Sequence, residues 1–129
     1  MNSNDSEKNE TVNESIQKID TPHNEAMDLY EKGIVLEFDQ GEMSEDALAL
    51  FSQSFELENQ SLRLFKEKGG SEPMLSVLLA SAATIAFSCR KYVEAEKFIV
   101  ECLSGNPPDT IRQELLGLRE RITIKLGLQ

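Results

Sequence analysis

Apolar positions recur along most of this chain at spacings of three and four, the period of one face of an α-helix. Ala26, Met27, Tyr30, Ile34 and Phe38 form a first such face, preceded by Thr21-Pro22, a pair suited to an N-cap and a first helical position, and closed by Asp39-Gln40-Gly41. Ser44 opens a second helix with Glu45 and Asp46 in its first turn, where carboxylates oppose the helix dipole. Its apolar positions are Ala47, Leu48, Phe51, Phe55, Leu62 and Phe65, and Gly69-Gly70 stops it after Lys68. A helix that long invites a break, for which Asn59-Gln60-Ser61 is the candidate. Ser71 caps a third helix from Met74 to Cys89, apolar nearly all round and therefore central. Arg90-Lys91 make a turn into a fourth helix, Tyr92 to Leu103, which Ser104-Gly105-Asn106 and Pro107-Pro108 end. A fifth begins at Pro108 or Asp109 and carries Ile111, Leu115, Leu118, Ile122 and Leu126 on one face. No alternating run bounded by turn residues marks a strand. The pattern predicts an all-α domain of about five helices.

Residues 1–21 are polar and acidic, with Val12, Ile16 and Ile19 the apolar exceptions. Such a stretch buries too little surface to offset its ordering entropy, which predicts a disordered acidic arm ahead of a helical domain at 22–129. The opening residues lack the basic start and apolar stretch of an export signal, which predicts a cytoplasmic protein. The Asn9-Glu10-Thr11 and Asn13-Glu14-Ser15 sequons are then chance matches. The run from Met74 to Cys89, diluted by Ser76, Ser81, Thr84 and Ser88, is shorter than the ~20 residues that span a bilayer.

Small residues on the third helix and an alanine and an aromatic on the fourth describe two helices pressed together, with Ala83 and Ala95 at the crossing. This hairpin resembles a tetratricopeptide repeat, the 34-residue helix-turn-helix unit. Ala95 takes the repeat's second-helix alanine and Leu79 its large first-helix residue. Ala82 and Ala83 stand where the family has Leu and Gly, and Ala86 where it has an aromatic. Tyr92, Ile99 and Cys102 fall on further positions of the pattern and Pro107 on its closing proline. The count places Gly117 on the glycine of a following first helix, so the fifth helix resembles a C-terminal capping helix. Tyr30, Gly33-Ile34, Gly41, Ala47 and Phe51 resemble an upstream unit. Two features depart from the pattern: the turn between Gly41 and Ala47 is one residue longer than the family's, and Ala47 and Ala95 are separated by 48 positions where tandem repeats give 34.

The resemblance implies a non-catalytic protein-binding module, an adaptor or regulatory subunit, holding a partner along the groove lined by first helices. Carried over position by position, that groove comprises Asp28, Glu31, Val35, Phe38 and Asp39 from the first unit. The second unit supplies Val77, Ala80, Thr84, Phe87 and Ser88. An acidic rim over an apolar floor suits a partner segment with Lys or Arg beside a hydrophobic anchor. Against this stand plainer readings, Phe38 and Phe87 as core rings and Asp28, Glu31 and Asp39 as a solvated face. Arg112, Arg119, Arg121 and Lys125 either receive the acidic part of a second copy or serve the C-terminus of the last helix. An alternative function is a structural subunit of a homo-oligomer or fixed complex, with the apolar third helix in a permanent interface. The first two helices also resemble those of the microtubule-interacting-and-trafficking domain, whose third helix has no evident match here.

Charge and chemistry narrow the field further. A net charge of −10 and a pI near 4.6 disfavour nucleic acid, which needs clustered Lys and Arg. Cys89 and Cys102 are expected as buried free thiols, and two Cys with the single His23 fall short of a four-ligand zinc site. Gly69-Gly70 lacks a phosphate-loop context, no nucleophile has an evident activating base, and no Glu-x-x-His motif occurs. The expectation is therefore no enzyme activity, no cofactor and no metal.

Overall fold

The computed structural model describes residues 3–127, with side chains from Thr21 onward. It contains five helices and, among the described residues, no strand: α1 (Ser3–Gln40), α2 (Glu45–Glu67), α3 (Met74–Ser88), α4 (Tyr92–Ser104) and α5 (Asp109–Leu126). Consecutive helices pack against one another, α5 lies against both α3 and α4, and α3 is central. Helix α2 is continuous through Asn59-Gln60-Ser61. Helix α1 runs through most of the stretch at 1–21 expected as an arm, and the side chains of residues 1–20 lie outside the described ones. Pro22 lies inside α1, although Thr21-Pro22 predicts a helix start. A proline there removes one backbone donor, and the anchoring of His23 and Ala26 on α2 just beyond it holds the helix in place.

The antiparallel α1–α2 pair is built from small, polar and aromatic positions spaced three and four apart, in the manner of a coiled-coil seam. The α1 side is His23, Ala26, Tyr30 and Gly33; the α2 side includes Phe51, Ser54 and Glu58. Ser54 donates its hydroxyl to the Ala26 carbonyl at 2.6 Å, and the Tyr30 and Phe51 rings meet at 5.4 Å. His23 Nδ1 lies 2.8 and 2.9 Å from the two oxygens of the fully buried Glu58 carboxylate. Gly33 is buried, and a Cβ added to it would lie 2.6 Å from the Phe51 ring, so the ring occupies the space its missing side chain leaves.

Ala82, Ala83, Ala86 and Ala95 are fully buried in one cluster with Leu78, Leu79, Ile85 and Ile99, where short side chains let α3 and α4 approach closely. The Phe55 and Phe98 rings meet edge to face at 6.2 Å. The turn into α4 places Arg90 in the left-handed region at φ 63°, with the Lys91 amide donating to the Ala86 carbonyl at 2.9 Å, a helix-ending bond pattern that usually employs glycine. The Arg90 guanidinium reaches the Glu42 carbonyl and so ties this turn to the α1–α2 loop. Cys89 and Cys102 are free and buried.

Helix starts are only partly as the sequence predicts. Ser44 caps α2, its hydroxyl accepting from the Ala47 amide at 3.1 Å. At α3 the cap is Glu72, not Ser71: the carboxylate accepts from the Ser76 amide at 2.9 Å and from the Ser76 hydroxyl at 2.7 Å. A carboxylate four residues back reaches the exposed amide and carries the charge the helix dipole favours. Its other oxygen accepts from the Asn106 amide at 3.3 Å, linking α3 to the α4–α5 loop. Desolvation by itself raises the Glu72 carboxyl, but the bonds from Ser76 and Asn106 prevail and hold it below the ordinary carboxylate value. A depressed folded pKa gives stability that is full above the unfolded value near ~4.3 and fades as pH falls through the folded one. Glu72→Gln is therefore expected to cost about 1 kcal/mol at neutral pH, as lost caps do, and the cost should shrink below about pH 4. Urea unfolding of both proteins at the two pH values checks this, and a pH-independent cost would refute the electrostatic part.

Candidate functional site

Between α1, α3 and α5 lies a solvent-open hollow of about 360 Å³. Helix α1 contributes Met27 and Tyr30, α3 contributes Val77, Ala80, Ser81, Thr84 and Ile85, and α5 contributes Ile111 and Glu114. The α3 positions follow from a helix apolar nearly all round: one side packs on α2 and α4, so the opposite side is left to floor a depression between its neighbours. Small side chains at Ala80 and Ser81 keep that floor low.

The polar groups of the hollow are largely committed to its walls. Thr84 donates to the Ala80 carbonyl at 3.0 Å, Ser81 donates to the Met27 sulfur at 3.9 Å, and the Tyr30 hydroxyl lies 3.2 Å from the Ser88 hydroxyl. The last two contacts join α1 to α3. What faces solvent is therefore mostly apolar, with the Glu114 carboxylate at the margin. Such a surface binds by burial and shape, with few groups able to transfer a proton or attack an electrophile.

The sequence-derived groove residues fall in three places. Val77, Ala80 and Thr84 line the hollow: Val77 is 38% exposed, Ala80 is buried at the floor and Thr84 is half-buried. Phe87 is half-buried at the far end of α3, edge-on to Tyr92 at 5.6 Å and covered by the Arg121 guanidinium 4.9 Å away. With Ser88 it borders a smaller depression shared with Met43, Arg90 and Lys125. Asp28, Glu31, Val35, Phe38 and Asp39 are all exposed on α1, and the first three border a separate shallow depression with Leu36 and Leu50. The reading of Phe38 as a core ring does not hold, because 90% of it is exposed.

Met27, Tyr30, Ser81, Ile85, Ile111 and Glu114 join the hollow without having been singled out as binding residues. Met27 and Tyr30 belong to the apolar face read from α1. Which part of that face meets α2 and which part opens between helices depends on the angle at which α1 crosses α3.

The cysteines lie elsewhere. Burial pushes the Cys89 thiol up to about 11, the nearby Lys91 charge opposing it only in part, and burial likewise raises Cys102. Thiols held protonated in this way are poor nucleophiles at neutral pH. Among the described residues no group of three or more His, Cys, Asp or Glu is placed to hold a metal ion. No described helix is long and apolar enough to cross a membrane. Comparison with protein-family models, with curated proteins and with solved structures finds no match to this chain.

Proposed function

We propose that this chain is a non-catalytic protein-interaction module of tetratricopeptide-like hairpins that holds a segment of another protein in the hollow between α1, α3 and α5. The observation that carries the reading is the make-up of that hollow: three alternate helices supply it, its floor is apolar, and it opens to solvent. In a stack of helical hairpins the first helix of each hairpin lines the inner face. The packing order here, with α5 against both α3 and α4, accords with two hairpins and a closing helix. The hollow is sized for an anchoring apolar side chain, and Glu114 at its margin favours a Lys or Arg beside that anchor.

Val77→Arg tests this reading, since its side chain is partly exposed and the longer one fills the opening without entering the core. The partner recovered from the source cell on the wild-type protein is expected to bind the variant at least about tenfold more weakly, a change of about 1.4 kcal/mol, with thermal unfolding unchanged. Undiminished binding by a folded Val77→Arg protein would remove the hollow from the interface. Sizing of the wild-type protein over a range of concentrations is expected to show a monomer, in contrast to a permanent homo-oligomer.

A further inference from the structure

Val35 and Phe38 stand three residues apart on α1 and are 61% and 90% exposed. Spacings of three and four bring Asp28, Glu31 and Asp39 onto the same outward face. None of these three carboxylates forms an ion pair among the described residues. Lys32 is the single base between residues 28 and 46, against Asp28, Glu31, Glu37, Asp39, Glu42, Glu45 and Asp46. A nearly bare aromatic beside a valine, bounded by unpaired carboxylates, is uncommon on a surface with no binding role. The neighbouring depression, bordered by Leu36 of α1 and Leu50 of α2, turns the face into a shallow trough.

We propose that this face of α1 is a second docking surface, for a Lys- and Arg-bearing amphipathic helix of a partner protein. The apolar side of that helix covers Val35 and Phe38, and its cations meet Asp28, Glu31 and Asp39. The stripe from Asp28 to Asp39 is roughly 16 Å long at 1.5 Å per residue, about three helical turns, which matches a helix laid along it. Charge decides against a second copy of this chain as the occupant. The protein carries −10 overall, and three of the four cations of α5 are engaged within the chain: Arg119 with Glu96 at 2.9 Å, Lys125 with Glu42 at 3.7 Å, and Arg121 over Phe87. The proposal does not rest on the α1/α3/α5 hollow, and Val77→Arg is expected to leave it untouched.

The test uses a labelled amphipathic peptide of Leu and Lys, about 18 residues or five helical turns long, with a Leu/Glu peptide of the same pattern as its counterpart. In fluorescence anisotropy the Leu/Lys peptide is expected to bind the wild-type protein and to weaken as salt is raised, and the Leu/Glu peptide not to bind. Val35→Ser/Phe38→Ser should weaken binding at least tenfold and Asp28→Asn/Glu31→Gln/Asp39→Asn at least fivefold. Glu56→Gln/Glu94→Gln/Glu120→Gln, which removes the same charge elsewhere, should stay within twofold. The proposal is overturned if the Val35/Phe38 variant binds as the wild type does, or if the distant charge variant weakens binding as much as the local one. It is also overturned if the wild type forms a concentration-dependent dimer that Val35→Ser/Phe38→Ser abolishes, which would place a second copy on this face.

Discussion

Phe51→Ala is expected to lower the unfolding free energy by about 3–5 kcal/mol, the cost of emptying a fully buried aromatic site, and Gly33→Ala by about 1–3 kcal/mol. The second figure runs against local propensity. Within a helix alanine is preferred to glycine by about 1 kcal/mol, so a solvent-facing Gly33 would make the substitution stabilising. Here the new methyl meets Phe51 Cε1 at 2.6 Å and Cδ1 at 2.8 Å. That ring is 1% exposed and also packs on Tyr30, so it has no open space into which to turn. Overpacking therefore outweighs propensity. In the Phe51→Ala background the obstacle is gone, and Gly33→Ala should then be neutral or stabilising by up to about 1 kcal/mol. Urea unfolding of the four proteins measures the coupling as a double-mutant cycle. An equal cost of Gly33→Ala in both backgrounds would mean that Phe51 is not what Gly33 accommodates.

The same pair shows how far the sequence could be read. Helices α2 to α5 were legible because capping residues, glycines and prolines bracket clear periodic runs. Ser44, Asp109 and the apolar third helix are where the pattern predicts them. The face of α1 was only half legible. Hydrophobicity selects Ala26, Met27, Tyr30, Ile34 and Phe38, yet the buried seam runs through His23, Ala26, Tyr30 and Gly33, leaving Ile34 at 40% and Phe38 at 90% exposure. A glycine and a histidine carry no apolar signal. Their burial depends on Phe51 and Glu58, which lie on another helix, and those pairings exist only after folding. The groove residues divided for a related reason. Position-by-position transfer assumes a regular hairpin stack, and the 48 positions between Ala47 and Ala95, where tandem repeats give 34, break that regular spacing between the α1 positions and those on α3. Val77, Ala80 and Thr84 border the common hollow, whereas Asp28, Glu31 and Val35 border another surface.

His23→Ala is expected to cost about 3 kcal/mol, whereas His23→Leu combined with Glu58→Met should come close to the wild type or exceed it in stability. Glu58 has a fully buried side chain, and both its oxygens lie within 2.9 Å of His23 Nδ1. An ionised carboxylate only accepts hydrogen bonds, so with Glu58 in that form the donor in this contact is Nδ1. Removing the imidazole leaves an acidic group in the α1–α2 seam without the donor that faces it. Breaking a buried pair in this way costs about 3–5 kcal/mol, and the low end applies because His23 is 24% exposed and water reaches part of the vacated site. Replacing both partners by apolar side chains of similar size abolishes the desolvation cost together with the bond, which is why the double variant should recover what the single one loses. If the pair serves stability alone, α1 should keep its place on α2 in the double variant. The Ser54 hydroxyl bond to Ala26 and the Gly33–Phe51 contact still define the packing there. Denaturant midpoints and slopes of wild type, single and double variants decide the matter. A His23→Ala protein as stable as the wild type, or a double variant less stable than the single, would show that the seam does not depend on this pair as its geometry implies.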